Sequence, residues 1–135
     1  MITAVFDTNI YISAIGFDAN PEKLIRLAHH KAFLLYISPE IKAELTSTLT
    51  RKFHHSPAQI KDSLLMVDLT TEIVFPHKHL NVVKSDPTDN KILECCLECK
   101  ANYLVTGDTK HILPLKQFRN TKIVSVSEFL AILEL

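Results

Sequence analysis

Short apolar runs and amphipathic stretches alternate along the chain, and their spacing predicts strands that alternate with helices. Residues 2–6 and 33–37 are apolar runs rich in β-branched and aromatic side chains, as expected of strands buried on both faces. Three further strands are predicted at residues 71–75, 103–106 and 122–125. This alternation favours a mainly parallel sheet of about five strands with helices packed against it.

The helices between these strands are recognisable from their first residues. A capping residue followed by proline at the first helical position predicts three helix starts, at Asn20-Pro21, Ser38-Pro39 and Ser56-Pro57. Three more helices are predicted at residues 10–15 and 87–101 and, beginning with Ser127-Glu128 as its cap, at residues 127–133. No repeat or low-complexity segment interrupts the pattern, so we predict one three-layer α/β domain over residues 1–135.

The composition narrows the function classes. The chain has 15 lysines and arginines together and 15 aspartates and glutamates together, so its formal net charge is zero. A nucleic-acid partner would therefore have to be bound by local basic patches and not by the net charge of the whole protein. No apolar run reaches the length of a membrane span, and the first residues lack the features of a signal peptide. Three cysteines between Cys95 and Cys99 predict free thiols in a reducing cytoplasm.

The candidate chemistry lies in acids at the carboxyl ends of predicted strands. Asp7 ends the first strand and Asp108 follows the fourth, and in open α/β sheets this edge binds ligands. Asp89 falls on the same helical arc as the apolar Ile92 and Leu93, with Asn90, Lys91, Glu94 and Glu98 on the opposite side. Because an acid on a core-facing arc is costly unless it is paired or binds a metal, we predict a functional role for Asp89.

Each of these acids also has a purely structural interpretation. Asp7 is as well explained by capping the helix that follows it, and Asp86 looks like the N-cap of a capping box. Glu44 lies at the edge of an apolar stripe, where most glutamates extend to water. The Cys-x-x-Cys spacing within 95–99 lies inside a predicted helix without a second pair, so packing thiols are favoured over zinc ligands.

Four segments, in this order, resemble the PIN-domain nucleases, closest to the stand-alone prokaryotic branch of VapC-like toxins from toxin–antitoxin pairs. The segments are Phe6-Asp7-Thr8-Asn9, Ser38-Pro39-Glu40-Ile41-Lys42-Ala43-Glu44-Leu45, Asp86-Pro87-Thr88-Asp89-Asn90-Lys91-Ile92-Leu93-Glu94 and Tyr103-Leu104-Val105-Thr106-Gly107-Asp108. The resemblance extends over essentially the whole chain, with the segments in the family's order. The resemblance departs after Asp108, where the family often has another acid before an apolar pair and this chain has Thr109-Lys110-His111-Ile112-Leu113.

The resemblance implies both a topology and a site. With the strand alternation, it leads us to expect the sheet order 3-2-1-4-5. Asp7, Glu44, Asp89 and Asp108 would converge at one edge as catalytic residues and metal ligands. Thr8, Asn9 and Thr106 would support the carboxylates or the substrate phosphate, and Asp86 is favoured as a cap over a ligand. The missing acid between residues 109 and 113 makes a second metal doubtful.

The predicted function is metal-dependent hydrolysis of RNA phosphodiesters. Converging carboxylates need a cation to stay ionised together, and an all-oxygen ligand set suits Mg²⁺ or Mn²⁺. The resemblance also implies an RNA substrate, a cognate antitoxin and a homodimer, and the absence of a long apolar run predicts no membrane partner. Two alternatives remain: a silent PIN scaffold that binds RNA or protein, and a phosphoaspartate receiver or phosphatase. The latter usually needs a second acid beside the first, which Asp7-Thr8-Asn9 lacks.

Overall fold

The structure is a computed structural model that describes residues 1–82 and 87–134. Its strands are β1 (Thr3–Phe6), β2 (Leu34–Ile37), β3 (Glu72–Ile73), β4 (Tyr103–Val105), β5 (Gln117–Phe118) and β6 (Thr121–Val124). Its helices are α1 (Thr8–Ile15), α2 (Ala19–His29), α3 (Pro39–Arg51), α4 (Pro57–Thr70), α5 (Pro87–Cys99) and α6 (Val126–Glu134), with one 3₁₀ turn at Leu113–Leu115. Helices flank both faces of the sheet, so the predicted α/β class is confirmed.

The sheet has the order β3-β2-β1-β4-β6-β5, with β1 between β2 and β4. All neighbouring strands run parallel except β5, which is antiparallel to β6. In the central pair, Phe6 of β1 is in register with Val105 of β4, which is in turn opposite Val124 of β6. The residues that follow these strands therefore emerge side by side at the carboxyl edge of the sheet.

The prediction of five strands was one too few. The five expected strands occur in the expected order, the last of them as β6, and the additional strand β5 forms a hairpin with it. A tight hairpin is usually recognised from Asn-Gly or Asp-Gly in its turn. Here Arg119 takes the left-handed conformation, with φ of 53°, and Asn120 follows it. The sequence therefore lacks the glycine that would have predicted this turn.

Two helix caps are confirmed and two are corrected. The Ser38 hydroxyl accepts from the Ile41 backbone N–H at 3.3 Å, and Ser56 forms a capping box with Gln59. Helix α2 begins at Ala19, two residues before Pro21, because proline is tolerated wherever the first-turn N–H has no helical partner. The last helix is capped by Ser125, whose hydroxyl accepts from the Glu128 N–H at 3.2 Å, and not by Ser127.

The core is centred on aromatic rings from three parts of the chain. Phe129 of α6 packs edge-on against Phe33 with ring centroids 5.0 Å apart, and it also contacts the rings of Phe6 and Tyr103. Phe6, Phe33 and Phe129 are fully buried. These contacts fix α6 against the strand that ends in Asp7.

Helix α5 is buried on two sides, which the sequence did not predict. Glu94 and Asn90, expected on the outer side of the helix, are buried. The Glu94 carboxylate accepts from the Leu80 backbone N–H at 2.9 Å, and the Asn90 side chain accepts from the Val82 N–H at 2.8 Å. The segment after β3 thus packs over α5 and donates its backbone N–H groups to side chains of that helix. Hydrogen bonds of this kind leave no periodic pattern in the sequence, so they could not be predicted from it.

Cys95, Cys96 and Cys99 are free thiols on α5, and the first two are buried in the core. Within residues 1–82 and 87–134, no helix has both the length and the apolar character needed to cross a bilayer.

Candidate metal centre

Asp7 lies at the centre of the carboxyl edge, immediately after β1. Its backbone N–H donates to the Val105 carbonyl at 2.9 Å, which continues the pairing of β1 with β4 by one residue. Its side chain accepts at Oδ2 from the Thr106 hydroxyl at 2.8 Å. Asp7 occupies the N-cap position of α1 but makes no side-chain capping hydrogen bond within the described part of the chain. The Asp7 carboxylate is therefore held by Thr106 from the loop after β4 as well as lying at the start of α1.

Thr106 connects Asp7 to Asp108. The Thr106 side chain is fully buried, and its Oγ1 accepts from the Asp108 backbone N–H at 3.0 Å. A hydroxyl has a single proton to donate, so the direction of both hydrogen bonds is fixed: Thr106 donates to Asp7 and accepts from Asp108. This arrangement holds the start of the loop after β4 against the Asp7 carboxylate.

Burial dominates the electrostatics of Asp7. Only 5% of the residue is exposed, and desolvation raises the pKa of its carboxyl above the usual value of 3.8. The Thr106 hydroxyl and the backbone amides of Asn9 and Thr8 lower that pKa, while the negative charge of Asp108 raises it further. Asp7 is therefore an acid whose ionised form is costly unless a positive charge lies nearby.

Asp89, Asp108 and His111 form a group whose ligand atoms all lie within 4.8 Å of one another. Asp89 is buried on the first turn of α5, Asp108 is partly buried, and His111 is exposed. Among the described residues, this is the group of acids, histidines and cysteines with the spacing of a metal site. It contains none of the three cysteines.

His111 was missed by the sequence analysis. The Asp108 carboxylate accepts at Oδ1 from the backbone N–H groups of Lys110 and His111, both at 3.0 Å, which folds the loop into a turn. His111 Nδ1 consequently lies 3.5 Å from Asp108 Oδ2. The signal that was available is positional, because His111 directly precedes the apolar pair Ile112-Leu113, where a further acid was expected.

The remaining predicted residues are placed as follows. Glu44 is half-buried on the second turn of α3, a helix that packs against α1 and α5, and it is not part of the three-residue group. Thr8 is buried and Asn9 is exposed, both on the first turn of α1. Asp86 lies outside the described residues.

The donors present fit a hard divalent cation. Carboxylate oxygens are the preferred ligands of Mg²⁺ and Mn²⁺, and both ions tolerate water in the remaining positions. The Thr8 hydroxyl beside Asp7 is buried and has no hydrogen-bond partner among the described residues. A buried hydroxyl of this kind is costly unless water or another polar group reaches it. The edge of the sheet thus combines negative charge, a buried hydroxyl and ligand spacing suited to one ion.

Comparison with known proteins identifies the family. The family profile described as PIN domain matches residues 3–110, which include both Asp7 and Asp108. The chain therefore belongs to the PIN-domain family. Among curated protein sequences, none is significantly similar to it.

A solved structure has the same fold. The chain is similar to a chain in the crystal structure of VapBC2 from Rickettsia felis bound to a DNA fragment from their promoter, with a TM-score of 0.64. The match covers 92% of this chain and 98% of the other, at 17% sequence identity. At that identity the similarity establishes the fold, and the expected PIN-like architecture is confirmed.

Proposed function

We propose that this PIN-domain protein is a metal-dependent endoribonuclease that hydrolyses RNA phosphodiesters. The observation that carries the proposal is the continuous set of side chains at the sheet edge, from Asp7 through Thr106 to Asp108 and on to Asp89. Acids that lie together at the carboxyl edge of a parallel sheet are what a divalent-ion nuclease requires.

Each residue has a role in the proposed reaction. Asp7, Asp89 and Asp108 would hold the ion directly or through water, and Thr106 keeps Asp7 and the Asp108 loop in register. Glu44 would be a further ligand or the group that orients the attacking water. Thr8 and Asn9, on the first turn of α1, would bind the scissile phosphate. When bound, Mg²⁺ or Mn²⁺ supplies charge stabilisation for the phosphoryl oxygens and lowers the pKa of bound water.

The two alternatives are less well supported by the residues. A phosphoaspartate mechanism needs a second carboxylate beside the nucleophile, and the residues after Asp7 are Thr8 and Asn9. A silent scaffold would have no need of Asp7, whose burial as an acid is a cost to folding. The nuclease is therefore the function that the site supports best.

The direct test is RNA cleavage by the wild type and an Asp89→Asn variant, each with Mg²⁺, with Mn²⁺ and with chelator. We expect the wild type to cut in either metal and not in chelator. The variant should lose about a hundredfold or more of the rate, because it removes a buried charge from the ligand group. Asp18→Asn is the matched control, since Asp18 is an exposed aspartate that precedes α2. Cleavage that persists in chelator or in Asp89→Asn would refute the proposal, and RNA binding without cleavage would favour the scaffold.

The same comparisons support a toxin role. The similar solved structure is named as VapBC2 with a fragment of promoter DNA. We therefore infer that this nuclease is the toxin of a pair and that its activity is restrained by a cognate antitoxin. A cytoplasmic location belongs to this proposal, because the proposed RNA substrate is found there.

We also propose that the chain forms a homodimer through α4. Leu65 and Leu69 are four residues apart on one face of this helix and are 58% and 61% exposed. The neighbouring helix α2 extends the surface. Two large leucines held in water on one face are typical of an interface, since their burial is worth roughly 1.5–3 kcal/mol each.

The dimer is tested by a double variant, Leu65→Lys with Leu69→Lys. We expect light scattering at micromolar concentration to give a dimer mass for the wild type and a monomer mass for the variant, because two charges would oppose burial of the face. The control is Phe75→Lys, which changes another exposed apolar residue outside α4. A wild type that is monomeric at this concentration, or a double variant that still pairs, would show that α4 is not the interface.

A further inference from the structure

His111 is the member of the three-residue group that the proposed nuclease does not yet use. It directly precedes the buried Ile112, which anchors the loop after β4 in the core. An imidazole therefore stands where the family resemblance leads one to expect a carboxylate. Since Asp89 and Asp108 are within ligand spacing of it, the difference bears on which ion the site selects.

The geometry around His111 suits a shared ion better than a simple ion pair. The 3.5 Å between His111 Nδ1 and Asp108 Oδ2 is longer than an ordinary hydrogen bond. Two ligands bound at about 2.1 Å to one ion lie about 3 Å apart at right angles and about 4.2 Å apart on opposite sides. The observed distance falls between these values. Asp108 uses Oδ1 for the backbone N–H groups of Lys110 and His111, so Oδ2 remains on the side of the imidazole.

We propose that His111 is a ligand of the metal centre and that its nitrogen makes the site prefer Mn²⁺ over Mg²⁺. The inference rests on the proposed function, because it takes Asp89 and Asp108 as ligands of the same ion. Mg²⁺ is a hard ion that binds oxygen almost exclusively, whereas transition metals accept imidazole nitrogen. Two carboxylates and one imidazole therefore form a ligand set with both oxygen and nitrogen donors. In such a set the bond from the imidazole nitrogen to the metal is more favourable with Mn²⁺ than with Mg²⁺.

The test measures binding of the metal, not catalysis. Mn²⁺ is titrated into the wild type, His111→Ala and His111→Asp and followed by its electron paramagnetic resonance, with Mg²⁺ as competitor. The spin-echo spectrum of the bound Mn²⁺ then reports any directly coordinated ¹⁴N nucleus. The control is His30→Ala, since His30 is exposed at the end of α2, away from the group.

We expect ¹⁴N coupling in the wild type and in His30→Ala, and its loss in both His111 variants. The Kd for Mn²⁺ should rise by about tenfold or more in His111→Ala. In His111→Asp, which restores a carboxylate, the preference for Mn²⁺ over Mg²⁺ should fall while Mg²⁺ is still bound. Retained Mg²⁺ binding by His111→Asp would also establish that the turn after Asp108 is intact.

Two results would overturn the inference. One of them would leave the nuclease proposal standing, and the other would not. Bound Mn²⁺ without ¹⁴N coupling, at the same affinity in His111→Ala, would reduce His111 to an ion-pair partner of Asp108. RNA cleavage would then persist, and the nuclease proposal would stand. A wild type that binds neither Mn²⁺ nor Mg²⁺ would instead overturn the metal centre itself and the proposed function with it.

Discussion

Replacement of Asp7 by asparagine should abolish RNA cleavage and at the same time raise the thermal stability of the metal-free protein. In the wild type the Thr106 hydroxyl donates to Asp7 Oδ2 at 2.8 Å. Asparagine keeps an oxygen that can accept this hydrogen bond, but it removes the buried charge. We expect a loss of about a hundredfold or more in rate and a gain of about 1 kcal/mol in the free energy of unfolding. For a chain of this size that gain corresponds to roughly 3 °C in Tm.

The stability gain should depend on pH with a definite sign. Burial raises the pKa of Asp7, so the folded protein binds this proton more tightly than the unfolded chain. Between the usual value of 3.8 and the raised pKa, the wild type loses stability as the pH increases, and above the raised pKa the loss is complete. Asp7→Asn does not titrate. In chelator, the gain in the free energy of unfolding of Asp7→Asn over the wild type should therefore be largest at neutral pH. It should shrink as the pH is lowered towards 3.8, the usual pKa of an aspartate.

The matched control for this experiment is Asp18→Asn. Asp18 precedes α2 as Asp7 precedes α1, and neither makes a side-chain capping hydrogen bond in the structure as described. Asp18 is exposed, so its replacement should change neither Tm nor cleavage. Millimolar Mg²⁺ should stabilise the wild type and Asp18→Asn, and stabilise Asp7→Asn much less, because only binding to the folded state shifts the equilibrium. If Asp7→Asn melts like the wild type in both buffers and still cuts RNA, the acids are not a metal site.

Replacement of Phe129 by alanine should destabilise the protein by about 3–5 kcal/mol, the range for deleting a buried phenylalanine. Phe129 is fully buried, and its ring contacts those of Phe33, Phe6 and Tyr103 with centroids 5.0, 6.4 and 5.5 Å away. The neighbouring rings cannot collapse into the cavity without breaking their own contacts with the strands. Chemical denaturation followed by circular dichroism would measure the loss as a lower transition midpoint.

This substitution also tests whether residues 1–135 fold as one domain. Phe129 lies on α6, beyond residue 110 where the PIN-domain match ends, yet it packs on Phe6 of the central strand. We expect one cooperative transition in both proteins. Phe75→Ala is the control, because Phe75 is 61% exposed and should cost less than about 0.5 kcal/mol. A small effect of Phe129→Ala, or two separate transitions, would mean that α6 folds independently of the rest.

The features predicted correctly are those that local sequence determines. The five expected strands were predicted from short local runs, and the capping residues Ser38 and Ser56 act within three residues of themselves. The order of the parallel strands came with the family resemblance, which also named Asp7 and Asp108. The burial of Asp89 was predicted from its helical arc and is observed.

What escaped prediction depends on contacts between distant segments. Glu94 was expected in water because its arc is polar, but the backbone N–H of Leu80 needs an acceptor there. The link from Thr106 to Asp7 spans 99 residues and depends on the strand register. His111 was not singled out, because only the fold brings Asp89 of α5 to it and to its loop neighbour Asp108. In each case the sequence shows the residue and not its neighbour.

The register of β1 and β4 has a consequence for how such chains diverge. The positions of Asp7 and Thr106 follow from backbone hydrogen bonds that pair Phe6 with Val105, and these bonds place no demand on the identity of the side chains around them. Drift in the helices and in the outer strands can therefore proceed while the two central residues remain opposite each other. The Rickettsia felis chain has this fold at 17% identity, so the fold itself is compatible with very different sequences. What the candidate site requires of the sheet is this register and the few polar atoms that the register brings together.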